Sequence, residues 1–375
     1  MNILIFSWRG PSHPNAGGAE ISTHEHAKGW VGAGHEVTLF TSAFAGCRKE
    51  EIKDGVKIIR RGKQILGVQW EAFKWYLFGR HSRFDLVIDQ FHGIPFFTPI
   101  FVRTKKLAFI HEVTKEVWKL NPWRVPMNWL PSVLGTFFEP LIFKLFYTRV
   151  PFMTVSNSTK KDLVQWGIDS SQIAVIFNGI RIEKINLLKK EKKKTLVFLG
   201  ALSKDKGIEE AIEAFQLIDQ LELKQWRFWI IGKAESRYLE KLKQQCMDLG
   251  IKKSVTFWGF VSEKKKFELL SKSHIVINSS IREGWGLVVI EAASMGVPTV
   301  AYNVPGLRDS ILNNKTGIIC FKKTPTCLAS EIVNLINDSE KYQQMSTNAR
   351  QWSKRFAWDK STKSSLLLLK HLTYS

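Results

Sequence analysis

The chain reads as an α/β protein made of two doubly wound, parallel-sheet domains facing a central cleft. Two observations carry that expectation. At 375 residues the chain is longer than one hydrophobic core usually supports, so two domains are the natural division. Short β-branched or apolar runs also alternate with helix-length segments from end to end, which is the pattern of parallel sheets covered by helices. Hydrophobic residues at 44% and charged residues at 24% suit a folded, water-soluble chain with no long disordered tract.

In the first half the predicted strands are residues 3–7, 36–41, 86–89, 106–110, 153–156 and 174–177, each running into a loop rich in Gly, Asn, His or Pro. Residues 181–194 hold seven basic and two acidic side chains and read as a solvated linker. A second sheet then follows over 195–199, 227–231, 254–258, 274–278 and 298–302. The expected domains are therefore 1–180, binding the acceptor, and 195–355, binding the donor, with a terminal helix over 356–375 packing back towards the first. Both domains open with a strand, a glycine-bearing loop and a helix. In doubly wound sheets ligands bind at the carboxyl ends of the strands.

The net charge of +21 favours attraction to a polyanion: phosphates, an anionic membrane or nucleic acid. Between Arg48 and Arg83 ten basic residues face four acidic ones, interleaved with Trp70, Phe73, Trp75, Tyr76 and Phe78, which suggests an anionic-acceptor or membrane-facing surface. Residues 130–146 are strongly apolar but too short and too interrupted, by Pro131, Glu139, Pro140 and Lys144, to span a bilayer. Two readings stay open: a core helix of the first domain, or an amphipathic element lying on a membrane, which the flanking Trp118, Trp123 and Trp129 support. The amino-terminal apolar run is too short for a secretory signal and reads as a strand, so a cytoplasmic location is expected. Cys47, Cys246, Cys320 and Cys327 lack metal-ligand spacing and read as reduced thiols.

The most informative run is residues 279–293. A strand ends near Asn278, glycines at Gly284 and Gly286 permit close approach of backbone to a ligand, and an apolar helix begins near Gly286 and Leu287, whose amides can face a phosphate. Glu283 falls in the loop and Glu291 about two turns into the helix, too far apart to act on one atom. Glu283 suits hydrogen bonds to sugar hydroxyls and Glu291 a ribose diol. The blander alternative is a loop carboxylate plus a helix residue paired with a lysine. Earlier in the chain, Gly17-Gly18 lies between the first strand and a helix, where amides can cap an anion. Arg9 and the pair His24 and His26 read as solvent-exposed.

Glu283-Gly284-Trp285-Gly286-Leu287 followed by Glu291-Ala292 resembles the signature of the family-four retaining glycosyltransferases of GT-B fold, with two Rossmann-like domains. The resemblance extends through Gly17-Gly18-Ala19-Glu20, His111-Glu112, residues 155–159, Asn178-Gly179-Ile180, Gly200, Lys206-Gly207, and residues 296–298 and 305–307. It implies hexose transfer, with retention, from a nucleotide-diphosphate sugar of GDP-mannose or UDP-glucose type to a glycan or lipid-linked acceptor, as in envelope polysaccharide synthesis. By the same resemblance His111 contacts the donor sugar, while Lys206 can reach the leaving diphosphate, with Arg282 as a further candidate. The base lies near Gly259-Phe260-Val261, and a donor phosphate oxygen assists same-face attack. Many relatives carry arginine after the glycine matching Gly200, where this chain has Ala201; Lys204 or Arg282 are the candidate substitutes.

No Asp-x-Asp triplet, His-Glu-x-x-His motif or complete phosphate loop occurs in the sequence. No cofactor or metal is therefore expected, and the donor sugar is a co-substrate. The expected partners are the nucleotide-sugar donor, the acceptor and an anionic membrane surface touched peripherally, without nucleic acid. The competing expectations are another GT-B activity, such as sugar-nucleotide epimerisation or glucan phosphorolysis, and a non-catalytic basic module on membrane or nucleic acid.

Overall fold

A computed structural model describes residues 1–120, 129–181, 188–222 and 225–374. The chain divides into two compact units, Met1–Gly179 with Ala357–Ser375, and Ile180–Phe356.

Unit 1 runs β1 (Asn2–Ser7), α1 (Gly18–Gly32), β2 (Glu36–Thr41), β3 (Glu50–Lys53), β4 (Val56–Arg60), α2 (Gly67–Phe78), β5 (Leu86–Gln90), α3 (Thr98–Phe101), β6 (Lys105–Ile110), α4 (Trp129–Ile142), β7 (Phe152–Thr154), α5 (Asn157–Gln165) and β8 (Ile173–Val175). The strands form one sheet in the order β3-β4-β2-β1-β5-β6-β7-β8. Every neighbouring pair is parallel except β3 with β4. Chain order reverses between β1 and β5, so the loops after those strands share one end of the sheet. The C-terminal helix, Trp358–Tyr374, belongs to this unit and packs on α1.

The β3–β4 hairpin is a correction to the all-parallel expectation. Its signal was Asp54-Gly55, both at positive φ (53° and 80°), which is the two-residue turn that matches strand twist. The charged run Glu50-Glu51-Ile52-Lys53 hid the edge strand beside it. His24 and His26 are a second correction, because both are buried. Helix α1 is covered on more than one side, and His26 contacts the rings of Trp30, Phe109 and Trp358 while its Nδ1 lies 3.0 Å from Ser365 Oγ.

The largest departure concerns α4. Its single fully buried residue is Glu139, whose carboxylate accepts hydrogen bonds from the amides of Thr114 (2.8 Å) and Lys115 (3.2 Å) and from Trp118 Nε1 (2.8 Å). Leu130, Val133, Leu134, Phe137 and Phe138 lie on the other face and stand exposed, so the core-helix reading fails for them; Ile142 at the helix end packs on the core. Trp123 lies outside the described residues. A π-helical turn, Phe143–Tyr147, follows α4 and returns to the core, where Tyr147 donates its hydroxyl to the buried Asp89 at 2.6 Å.

Unit 2 runs β9 (Lys194–Leu199), α6 (Ile208–Leu221), β10 (Trp226–Ile231), α7 (Ser236–Asp248), β11 (Val255–Gly259), α8 (Glu263–Lys272), β12 (Ile275–Asn278), α9 (Leu287–Ser294), β13 (Thr299–Tyr302), α10 (Leu307–Ser310), β14 (Gly317–Cys320), α11 (Pro325–Asn337) and α12 (Ser339–Ser353). Its sheet is wholly parallel in the order β11-β10-β9-β12-β13-β14. The short edge strand β14 had no predicted counterpart. Residues 182–187 of the expected linker lie outside the described residues; in 188–194 Lys189, Lys192 and Lys193 are exposed, while other groups tie the segment to the end of α8. Leu188 donates its amide to Ser271 Oγ (2.7 Å), Glu191 its amide to the Lys272 carbonyl (2.9 Å), and Lys190 Nζ reaches the Ser273 carbonyl (2.6 Å). The four cysteines are free thiols.

Burial holds His26 neutral, its pKa lowered to about 4, and lowers His111 to about 3, with His26 and His92 adding repulsion. The unfolded chain takes up these protons near pH 6.5 and the folded chain does not. Stability contributed by the neutral rings is therefore complete above pH 6.5 and lost progressively as pH falls towards 4. Thermal melts at pH 7 and pH 5 should show a loss on the order of 2 kcal/mol per ring, and His26→Asn should flatten that dependence.

Candidate active site

In unit 2 the chain leaves β9, builds β10 and β11 on one side, and returns to place β12 on the other. The carboxyl ends of β9 and β12 therefore flank the topological switch point, where a doubly wound sheet leaves an opening for ligand. The loops after these two strands are joined backbone to backbone. Ile281 donates its amide to the Asp205 carbonyl (2.9 Å), and Ser279 Oγ donates to the Gly207 carbonyl (2.6 Å). Gly207 sits at φ 68°, and a Cβ there would lie 2.1 Å from the Ser279 carbonyl oxygen, so a side chain would collide with backbone.

That closeness brings together two predicted residues 77 positions apart. Lys206 Nζ donates to Glu283 Oε1 at 2.8 Å, and the same oxygen accepts from Ser280 Oγ at 2.8 Å. Both side chains are largely covered but retain solvent contact. The loop is held from a second side by Gly306, at φ 76°, where a Cβ would fall 2.3 Å from the Glu283 carbonyl oxygen. Gly286, at φ 82°, caps the start of α9, so the amides that follow it through Leu287 open the helix at this end of the sheet.

Other predicted residues fall differently. Arg282 and Trp285 are buried, Trp285 with its ring edge-on to Phe356 at 5.0 Å, so both brace the loop from inside. Gly284 shares that loop. Glu291 on α9 is paired with Lys266 on α8 at 2.7 Å; burial pushes its carboxyl up, and Lys266 only partly offsets this. The lysine-paired reading of Glu291 is therefore realised, and any ribose contact would add to it. Phe260 follows β11 at the same sheet end with 77% of its surface exposed, as a ring open to stacking. Lys204 is exposed.

Lys233 was missed by sequence reading. It follows Gly232 at the carboxyl end of β10, and its ammonium lies 5.6 Å from the Phe260 ring centroid. Gly232 is so close to the loop after β9 that a Cβ on it would meet the Gly200 carbonyl oxygen at 1.7 Å. A cation thus stands beside the loop that carries Gly200 and Ala201. The available signal was Gly-Lys directly after the apolar strand.

In unit 1, Gly17 is the cap residue of α1, but its amide is taken by Glu20 Oε2 (2.7 Å), while Glu20 Oε1 accepts from Arg9 Nε (2.9 Å). Arg9 is therefore bound to a buried carboxylate and stacks over Trp8 at 4.1 Å, correcting its solvent-exposed reading. Gly18 begins the helix proper. His111 follows β6 and is buried, its Nε2 3.4 Å from Thr23 Oγ1 and its carbonyl accepting from Thr159 Oγ1 at 3.1 Å. Held neutral, it can exchange a hydrogen bond with a ligand but supplies no positive charge. Among the described residues no three His, Cys, Asp or Glu side chains converge as a metal-ligand set.

Comparison with known proteins identifies the fold and the family. Sucrose-phosphate synthase from Thermosynechococcus elongatus superimposes with a TM-score of 0.81 over 99% of this chain and 98% of its own, at 17% identity. Alr3699/HepE of Anabaena, solved in complex with UDP-glucose, gives 0.74 over 99% and 100% at 18% identity. The fold is GT-B. Residues 16–184 match the model described as Glycosyltransferase Family 4 and residues 180–352 the model described as Glycosyl transferases group 1. The chain belongs to these glycosyltransferases. An uncharacterized glycosyltransferase of Methanocaldococcus jannaschii, MJ1607, is 29% identical over 241 residues, and the match spans 60% of each chain.

Replacing Gly207 by alanine forces a side chain into the left-handed region and against the Ser279 carbonyl. Chemical denaturation should show a loss of more than about 1 kcal/mol, and the Lys206–Glu283 pair should be displaced with it.

Proposed function

We propose that the protein transfers a hexose from a nucleotide-diphosphate sugar, of GDP-mannose or UDP-glucose type, to a glycan or lipid-linked acceptor, with retention and without a metal ion. The observation that carries this reading is the Lys206–Glu283 pair at the switch point of the unit 2 sheet, beside the opening amides of α9. A departing diphosphate needs fixed positive charge, and the backbone seat of Lys206 holds such a charge at the switch point. When donor arrives, Lys206 can turn from Glu283 to the phosphates, and Glu283 is released towards sugar hydroxyls. Lys233 supplies a second cation where the usual arginine is missing, and the Phe260 ring offers a stacking face for the base.

In this reading unit 2 holds the donor and unit 1, with Gly17, Gly18 and the neutral His111, serves the acceptor and the transferred sugar. Retention follows if a donor phosphate oxygen takes the acceptor's proton on the face that the diphosphate leaves. Charge-assisted hydrogen bonds contribute roughly 1.5 to 3 kcal/mol each, so two lysines and the helix amides account for an appreciable share of the barrier reduction.

A thermal-shift panel of nucleotide sugars should identify one base and sugar that stabilise the protein. Product analysis with membrane extract should then show nucleoside diphosphate released only when acceptor is present. Lys206→Ala and Glu291→Ala should each lower turnover by about 10². Near-normal turnover in both, or diphosphate release independent of acceptor, would overturn the assignment.

A further inference from the structure

Helix α4 is built inside out. Its buried residue is the glutamate, and its large apolar side chains face outward, with Val133 55%, Phe137 66% and Leu145 of the following π turn 64% exposed. Leu130, Leu134 and Phe138 are exposed with them. The spacing 130, 133, 134, 137, 138 places these residues on one helical stripe. The stripe continues into neighbouring elements. Phe146 meets Phe97 beside α3 at 5.8 Å, Phe101 of α3 meets Phe73 of α2 at 5.2 Å, and Phe73 stacks on the exposed Trp70 at 5.6 Å. Ile100 and Phe78 on the same helices are also exposed.

The charges on these elements identify the occupant. Arg80, Arg103 and Lys144 are exposed. The acidic groups among them are already engaged, Glu71 by Lys74 and Glu139 by its three donors. An apolar stripe rich in Phe, Leu and Trp and bordered by cations matches the interface of a bilayer with anionic headgroups. It does not match a span, although Trp129–Tyr147 is long and apolar enough by composition to be one. The Glu139 bonds anchor one side of the helix to unit 1, and Phe143 and Tyr147 at its end are buried in the unit's core.

We propose that the α2–α3–α4 face of unit 1 docks in the plane of an anionic lipid bilayer, inserting the Val133, Phe137 and Leu145 side chains among the acyl chains. The interaction is read without turnover, so it stands or falls independently of the sugar chemistry.

The test is co-sedimentation of the full chain with phosphatidylcholine vesicles containing or lacking 30 mol% phosphatidylglycerol, a mixture of about one anionic lipid in three. Wild-type protein should sediment with the anionic vesicles. Val133→Ser/Phe137→Ser/Leu145→Ser should bind at least about tenfold more weakly with an unchanged melting temperature, since all three side chains are exposed. Lys144→Glu should weaken binding about fivefold or more to the anionic vesicles only. Failure of the wild type to sediment, equal binding by the triple variant, or a dimer that the triple variant converts to monomer without any vesicle binding would overturn the proposal. The last outcome would assign the face to a second copy of the chain.

Discussion

The contact on which the candidate site depends is the seat of Gly207 against the carbonyl of Ser279. Because no side chain intervenes, the loop after β9 lies directly on the loop after β12, and the Asp205 and Gly207 carbonyls accept hydrogen bonds from Ile281 and Ser279. Lys206 is the residue between those two carbonyls, so its ammonium is delivered to Glu283 by backbone packing and not by the ion pair alone. The distinction matters energetically. A partly exposed ion pair contributes little to stability, whereas a clash between a Cβ and a carbonyl oxygen at about 2 Å cannot be relieved by rotating a side chain. Lys206 can thus exchange partners while its Cα stays in place.

Much of this was legible in the sequence because it rests on local rules. Parallel strands buried on both faces read as apolar runs, and the positions of β1, β2, β5, β6, β9, β10 and β12 follow from them to within a residue or two. Glycines in a run such as Glu283-Gly284-Trp285-Gly286 mark a loop that approaches another backbone. The features that escaped depend on partners remote in sequence. Glu139 is buried because three donors lie on the chain before it, His26 because the C-terminal helix covers α1, and Arg9 is held because Glu20 reaches back from the helix start. No periodicity within a single segment reports such contacts. Lys233 escaped for the same reason, since only the close approach of Gly232 to Gly200 shows that the β10 loop borders the site.

Helix α4 shows why composition alone misassigns an element. An apolar segment of this length is normally read by asking which face it buries, and the default answer is the protein's own core. Here the core makes no use of the stripe. Leaving eight large apolar side chains in water along 19 residues forfeits about 1.5 to 3 kcal/mol for each one that could have been covered. A helix carrying that deficit, fixed by a buried carboxylate, is held in an orientation that only an external apolar phase can relieve. The bordering cations then select among such phases.

The pairing of Glu291 with Lys266 bears on donor binding in a comparable way. A buried carboxylate without a partner takes up a proton and stops being a good acceptor, and burial does push Glu291 in that direction. The adjacent ammonium offsets part of the shift and occupies Oε1. A ribose diol approaching Glu291 would therefore meet an acceptor already oriented by Lys266, with little rearrangement needed on binding. Removing Lys266 should consequently act through Glu291, raising its proton affinity, whereas removing Glu291 leaves Lys266 with Glu263 as its partner. The carboxylate and its lysine behave as one unit, and the helix pair α8 and α9 provides the rigid support that a nucleotide site requires.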